Sequence, residues 1–405
     1  MSDSNKRKGM VFFITALLFA AQFFGNYGNF QPAAIPAQMY ETFHLTDMQF
    51  SSLLTAPMLP SIFLSIVIGL LVDRFGISKM VSICLLAGAL GFVIRCFATN
   101  YPTMLFSMAL CGCGCMIVNS NIAKIASSIY PMDKVSKVVG ILMGAANAAM
   151  ALSFATTALL PSLRVTFLIP AVAAVINVVL WVVAAREDLF TANRIEEEEE
   201  PGKIAASLKL CFRSRNLWLA GLTLFLLLGS ATIVTNFHVA ALTSLKGYSE
   251  TLAGSFSSVT LIGAAIGSVF LPVFITKHRE RAPIVMFLAV LICAVTTYGM
   301  VVLPAAGIYV CAFINGALRG GVLASMLVTP VLLKEIGPRN AGTAGGFIIT
   351  LQLLGAVIVP TYIIVPLGGG SLLRYFLLAA VCMVLCAVVC LIFMTTCGAF
   401  GKKGR

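Results

Sequence analysis

The sequence predicts an all-α membrane protein with twelve transmembrane helices in two pseudo-symmetric six-helix bundles. Three observations carry that expectation. Of the 405 residues 60% are apolar and only 10% charged, with a mean hydropathy of +1.00, whereas soluble domains are roughly half apolar and about a quarter charged. Twelve apolar runs follow one another, each near the ~20 residues that cross a hydrocarbon core. The chain also repeats itself at an offset near 207 residues.

The runs fall at 10–38, 48–72, 77–99, 102–128, 137–160, 165–185, 215–244, 250–275, 282–303, 305–333, 341–366 and 371–397. Each is expected to be a helix, because a lipid-exposed backbone must satisfy its own hydrogen bonds. Lys6, Arg7 and Lys8 precede the first run, which is too long, and lacks the small-residue cleavage site, to be a removed signal peptide. Asp47 opens the second, and Asp73-Arg74 closes it. Lys79 stands at the start of the third, and Pro102 opens the fourth. Lys134 and Lys137 enter the fifth, and Arg164 and Arg186 bound the sixth. In the second half Arg215 and Lys246 bound the seventh run, Glu250 and Lys277 the eighth. Arg281 enters the ninth, Lys334 closes the tenth, Arg339 enters the eleventh, and Arg374 and Lys402 bracket the twelfth.

The repeat pairs Asn29-Phe30-Gln31 with Asn236-Phe237-His238, Phe50-Ser51-Ser52 with Phe256-Ser257-Ser258, Pro131 with Pro338, and Gly140 with Gly346. The expected domains are therefore an N-terminal bundle over 1–185, a cytoplasmic linker over 186–214 and a C-terminal bundle over 215–405. The linker carries the acidic run Glu196 to Glu200 before Pro201-Gly202, which reads as a solvated segment.

A net charge of +12 raises the question of a nucleic-acid partner, and placement answers it. All but six of the 27 cations lie at the termini or in the even-numbered gaps between runs. That asymmetry is the positive-inside rule and places both termini in the cytoplasm. The twelve cysteines lie mostly inside runs, where Cys acts as a small apolar residue. Neither a disulfide framework nor a metal site is expected, and Cys382, Cys386 and Cys390 share one helix face for packing or for lipid.

Between the second and third runs stands GLLVDRFGISKM, Gly69 to Met80. Gly69 and Gly76 permit close approach and a tight turn, Asp73 can pair at a helix end, and Arg74 and Lys79 hold the connector on the cytoplasmic side. This gating latch resembles the loop signature between helices 2 and 3 of the major facilitator superfamily, with Ser78 where a basic residue is usual. The resemblance covers the whole chain. It implies a secondary transporter that binds substrate near the midplane between two six-helix halves. Gly140, Gly144, Gly342, Gly345 and Gly346 in spans 5 and 11 resemble the nitrate/nitrite and cyanate branches, with the oxalate/formate exchangers near, and imply close packing of those helices. The nitrate branch also uses an Arg in helix 2 and another in helix 8, which this chain lacks.

All fifteen acids fall outside the expected hydrocarbon, so cations dominate its interior. Arg95 lies roughly 25 Å along span 3 and can snorkel to the outer interface, Lys124 lies roughly 30 Å along span 4 and can snorkel inward, and Arg319 lies roughly 18 Å from the outer end of span 10, near the midplane. A cation at that depth needs acceptors or an anion. Gly316, Gly320 and Gly321 are expected to clear space there for a ligand or another backbone. Asn26, Asn29 and Gln31, with Asn236 and His238 at the equivalent place in span 7, are the polar candidates for a central cavity. Asn315, Asn147, Lys124 and Asn119 extend the candidate substrate site.

The expected activity is secondary transport of a small anion, an organic carboxylate being favoured, possessing either a counter-anion or a substrate-borne proton as its partner. Only His238 offers a titratable relay within a span. The alternatives are an exporter of neutral or cationic drug-like compounds and a non-transporting sensor of the same fold. No phosphate-binding loop for ATP is present, no cofactor or enzyme activity is expected, and His44, His238 and His278 lie in separate regions. The remaining expectations are a lipid-embedded monomer in the cell membrane and no nucleic-acid partner.

Overall fold

The computed structural model describes residues 3–190, 209–327, 333 and 336–397. Among them no strand occurs, and the chain divides into two compact units, 1–197 and 198–405. Ten helices among the described residues are long and apolar enough to cross a membrane. The two remaining crossings are a proline-broken helix over 47–75 and the helix Tyr101–Ile129. The fold is the expected twelve-helix one.

In the N-terminal unit α1 runs Asp3–Ala34, with Pro32 inside it. The first apolar run was expected to continue to 38, but the helix breaks at Ile35 (φ −129°, ψ 54°) and α2, Pro36–Phe43, starts on Pro36. The cause is local, since a residue before proline is driven out of the helical region. α3, Asp47–Thr55, opens on a capping box in which Gln49 N donates to Thr46 Oγ1 and Thr46 N to Gln49 Oε1. A 3₁₀ turn at Ala56–Met58 then leads into α4, Leu59–Phe75. α5 (Ile77–Cys96), α6 (Tyr101–Ile129), α7 (Met132–Thr156) and α8 (Leu163–Ala184) complete the unit. Val81, Ile117, Val118, Leu142 and Trp181 form its core.

The C-terminal unit holds α9 (Arg215–Lys246), α10 (Glu250–Lys277), α11 (Ala282–Val302) and α12 (Ala305–Leu327). α13 (Gly337–Ile358) passes through a π-helical segment, Val359–Ile364, into α14 (Val365–Gly368), and α15 (Leu372–Thr396) closes the unit. Pro360 lies in that π segment, where its missing N–H disturbs the regular ladder. Cys386 Sγ donates to Thr223 O and Cys382 Sγ to Leu226 O, so the cysteine face of α15 packs against α9. Lys246, the cation that stands out in an odd-numbered gap, has a local reason to be there. Its Nζ donates to Val302 O at 2.7 Å and Leu303 O at 3.2 Å, capping the carbonyl end of α11.

Both units press their second and fourth spans together at equivalent places. A Cβ on Gly112 would collide with the Pro57 carbonyl, and one on Gly320 with the Ala264 carbonyl. In spans 5 and 11 the glycines do something else. A Cβ at Gly140, Gly144, Gly345 or Gly346 would meet nothing within 4 Å, so within its own unit none of these glycines is required by a close approach.

Candidate substrate-binding site

The site is built from α12 upward. Gly316, Gly320 and Gly321 face α10, where a Cβ on any of them would run into the backbone of Thr260, Ala264 or Gly267 or the side chain of Leu271. These glycines therefore make room for a neighbouring helix rather than for a ligand. Asn315 is completely buried and also structural. Its Nδ2 donates to Cys293 O at 3.1 Å, Thr296 Oγ1 at 3.1 Å and Thr297 Oγ1 at 2.9 Å, which ties α12 to α11 and removes the amide nitrogen from any substrate.

Arg319 is held differently. It is 9% exposed, and its one hydrogen bond among the described residues runs from Nη1 to Ala231 O on α9, at a long 3.4 Å. Ala231 O is shared with Thr235 Oγ1 at 3.2 Å. A guanidinium offers five N–H donors, so most of this one's capacity is unspent among the described residues. No acid among the described residues pairs with it.

Asn236, on α9, is buried and its Nδ2 has no hydrogen-bond partner. His238 stands two residues further along the same helix, so its side chain projects roughly 200° away. It is sealed between the rings of Phe256 and Phe376, and Nδ1 bonds Ser257 Oγ at 3.1 Å. The expectation that both line one cavity fails on that rotation, and His238 serves packing between α9 and α10.

In the N-terminal unit the same rotation separates Asn29 from Gln31. Asn29 Nδ2 lies 3.8 Å from Cys115 Sγ while its Oδ1 is unpartnered, and neither amide atom of Gln31 has a partner. Asn26 is half-buried and turns back on its own helix, donating to Gln22 O and Gln22 Oε1. Asn147 and Lys124 are exposed on the surface of the unit. The side chains of Asn119 and Asp73 lie outside the described residues. Arg95, expected to snorkel outward, is 1% exposed and stacks between Phe92 and Phe167 at 4.7 and 5.0 Å.

At the latch the expected loop is absent. Gly69 and Asp73 lie within α4, which ends at Phe75, α5 begins at Ile77, and Gly76 alone (φ 91°, ψ 159°) joins them. Arg74 and Lys79 are exposed, and Arg74 lies over the Phe75 ring at 5.3 Å. Sequence reasoning missed Glu187. Its carboxylate accepts from Ile77 N at 3.0 Å and Ser78 N at 2.9 Å, capping α5 from the turn that follows α8. Ser78 is buried with its hydroxyl donating to Ala185 O, and Trp181 Nε1 donates to Ser78 O. A long basic side chain would not fit that position. An acid directly after span 6, opposite a helix start rich in free N–H groups, was the available signal.

Among the described residues no three metal-ligating side chains converge. A sequence profile described as the Major Facilitator Superfamily matches residues 11–360. No curated protein matches the sequence. Among solved structures, a bacterial homolog of the human lysosomal transporter Spinster, inward-facing and unoccupied, is similar with a TM-score of 0.83 at 12% identity, covering 98% of this chain and 99% of that one. The nucleoside transporter NupG is similar with a TM-score of 0.75 at 14% identity, covering 96% and 99%. At such identities the likeness speaks for the fold alone.

Proposed function

This chain belongs to the Major Facilitator Superfamily, and from that premise we propose that it is a secondary active transporter moving a small anion, with an organic carboxylate favoured, across the cell membrane by alternating access. Both termini are cytoplasmic in this reading. The observation that carries it is Arg319, a buried cation with one long hydrogen bond and no acidic partner among the described residues. A carboxylate can take two parallel charge-assisted hydrogen bonds from such a fork. With the acids outside the expected hydrocarbon and His238 sealed by aromatic rings, anion exchange or a proton carried by the substrate accounts for coupling better than a protein carboxylate does.

A neutral polar cargo is the second reading, favoured by the unpartnered amide atoms of Asn29, Gln31 and Asn236. The test is a thermal-stabilisation screen of the purified protein against carboxylates, inorganic anions, nucleosides and organic cations, because a ligand that binds only the folded state raises apparent stability. Stabilisation by a carboxylate that disappears in Arg319→Gln is the expected result. Stabilisation by nucleosides or cations that survives Arg319→Gln would overturn the anion reading, and uptake of the stabilising compound into proteoliposomes separates a transporter from a sensor.

A further inference from the structure

Arg95 has no part in the proposed anion site, yet it is one of the largest fully buried side chains in the molecule. No acid among the described residues pairs with it. The reason for its presence lies in α1. Pro32 is inside that helix and has no N–H, so the carbonyl four residues earlier, that of Gly28, loses its helical donor. A buried carbonyl left unpaired is costly. Arg95 Nη1 donates to that very oxygen at 2.9 Å. Its other contacts are Met108 Sδ at 3.2 Å and the two flanking rings of Phe92 and Phe167, while Nε and Nη2 have no partner. Gly28 is what lets the guanidinium come so close. A Cβ there would meet Phe92 at 2.5 Å, Pro170 at 2.7 Å and Arg95 Nη2 at 3.0 Å.

We infer that Arg95 and Pro32 form one device: α5 lends α1 the hydrogen bond that proline removes, and so holds the turn of α1 that carries Asn29 and Gln31. Arg95 is a positioning residue that acts through α1. The device does not depend on which cargo the protein carries. α1 stops at Ala34 and the chain turns at Ile35, so the braced turn is the last fixed point before the break.

The full-length protein in detergent tests this with Arg95→Met, Arg95→Lys, Pro32→Ala and the double variant Pro32→Ala/Arg95→Met. Alanine at 32 restores the N–H and lets α1 satisfy Gly28 O itself. Backbone hydrogen exchange over 28–43, read by mass spectrometry, should quicken about ten-fold or more in Arg95→Met, because a local opening is released. Arg95→Lys, which keeps a donor, should fall between that and the parent. In the Pro32→Ala background the same methionine should change exchange by less than about three-fold, since the two residues act on one carbonyl. Equal acceleration in both backgrounds, or none in Arg95→Met, would overturn the inference. If Arg95→Met yields no folded protein, recovery by Pro32→Ala supports the device and failure to recover overturns it.

Discussion

Replacing Gly76 with alanine should destabilise the N-terminal unit by much more than an ordinary glycine-to-alanine change. Gly76 sits at φ 91° and ψ 159°, a region that only glycine enters freely, and a side chain there costs about 1–3 kcal/mol in the backbone alone. The new Cβ would also meet the Glu187 carboxylate at 2.5 to 2.7 Å. Glu187 is exposed, so its side chain can swing away, and α5 then loses its cap. Loss of an N-terminal cap costs about 0.5–2 kcal/mol. The sum is about 1.5–5 kcal/mol for Gly76→Ala. Glu187→Ala removes only the cap and should cost about 0.5–2 kcal/mol. The two effects overlap, so in the Glu187→Ala background Gly76→Ala should cost about 1–3 kcal/mol, the backbone part alone. Chemical unfolding in mixed micelles, run as a double-mutant cycle, gives the coupling. An additive cycle would refute the claim that the carboxylate at 187 closes the α4–α5 junction, even if each single variant were destabilised.

Arg319→Lys should weaken carboxylate binding by about 1.5–3 kcal/mol and Arg319→Gln by more, read by ligand titration, because an ammonium cannot reproduce the two-bond fork; near-normal binding by folded Arg319→Gln would refute the anchor. Asn29→Ala and Asn236→Ala should each weaken cargo binding by about 1–3 kcal/mol if a ligand group is left unpaired, and unchanged affinity with lowered stability would return them to helix packing. Gly320→Ala should fail to give folded protein, since its Cβ collides with the Ala264 backbone and overpacking of rigid backbone is not relieved by rotamer changes; a folded variant that has lost only cargo binding would restore the ligand-clearance reading. Lys246→Ala should cost only about 0.3–1 kcal/mol in unfolding experiments, as a helix-end cation does, and a larger loss would mean that its bonds to Val302 and Leu303 do more than cap α11.

The crossings and the repeat were legible because they rest on summed properties. Twenty apolar residues in a row, or an ordered series of matched landmarks, survive any single misjudged position. Individual polar side chains do not. Asn315 and Asn236 look equivalent in sequence, each an Asn within an apolar run, yet the amide nitrogen of one is consumed by Thr296, Thr297 and Cys293 and that of the other donates nothing. That difference is set by which helix lies opposite, and chain spacing carries no trace of it. The rotation that parts Asn236 from His238 is a matter of two residues on a helix and is legible without coordinates. Glu187 was harder to see. It stands 111 positions from Gly76, in a segment whose composition reads as solvated linker, while its function is fixed by where α8 happens to end.

The two buried arginines separate by energetics. Removing a cation from water costs several kcal/mol even after relaxation, and neither Arg95 nor Arg319 recovers that through an acid among the described residues. Arg95 is supported by a short bond to an otherwise orphaned carbonyl and by two aromatic faces, partners that are always present. Among the described residues Arg319 has one 3.4 Å bond, to a carbonyl that already has another donor, weaker than the roughly 1.5–3 kcal/mol of a well-formed bond to a charged group. Its burial is therefore weakly compensated among the described residues. The residues around it that do not face a ligand explain how it is tolerated. Gly316 and Gly320 bring α12 close against α10, and Asn315 ties it to α11, so the guanidinium is carried by a closely packed helix. A group fixed in advance loses little entropy when its partner arrives. On the proposed reading the unspent donors of Arg319 are what an anion would take up, and the glycines and Asn315 would act on that cargo by positioning the arginine.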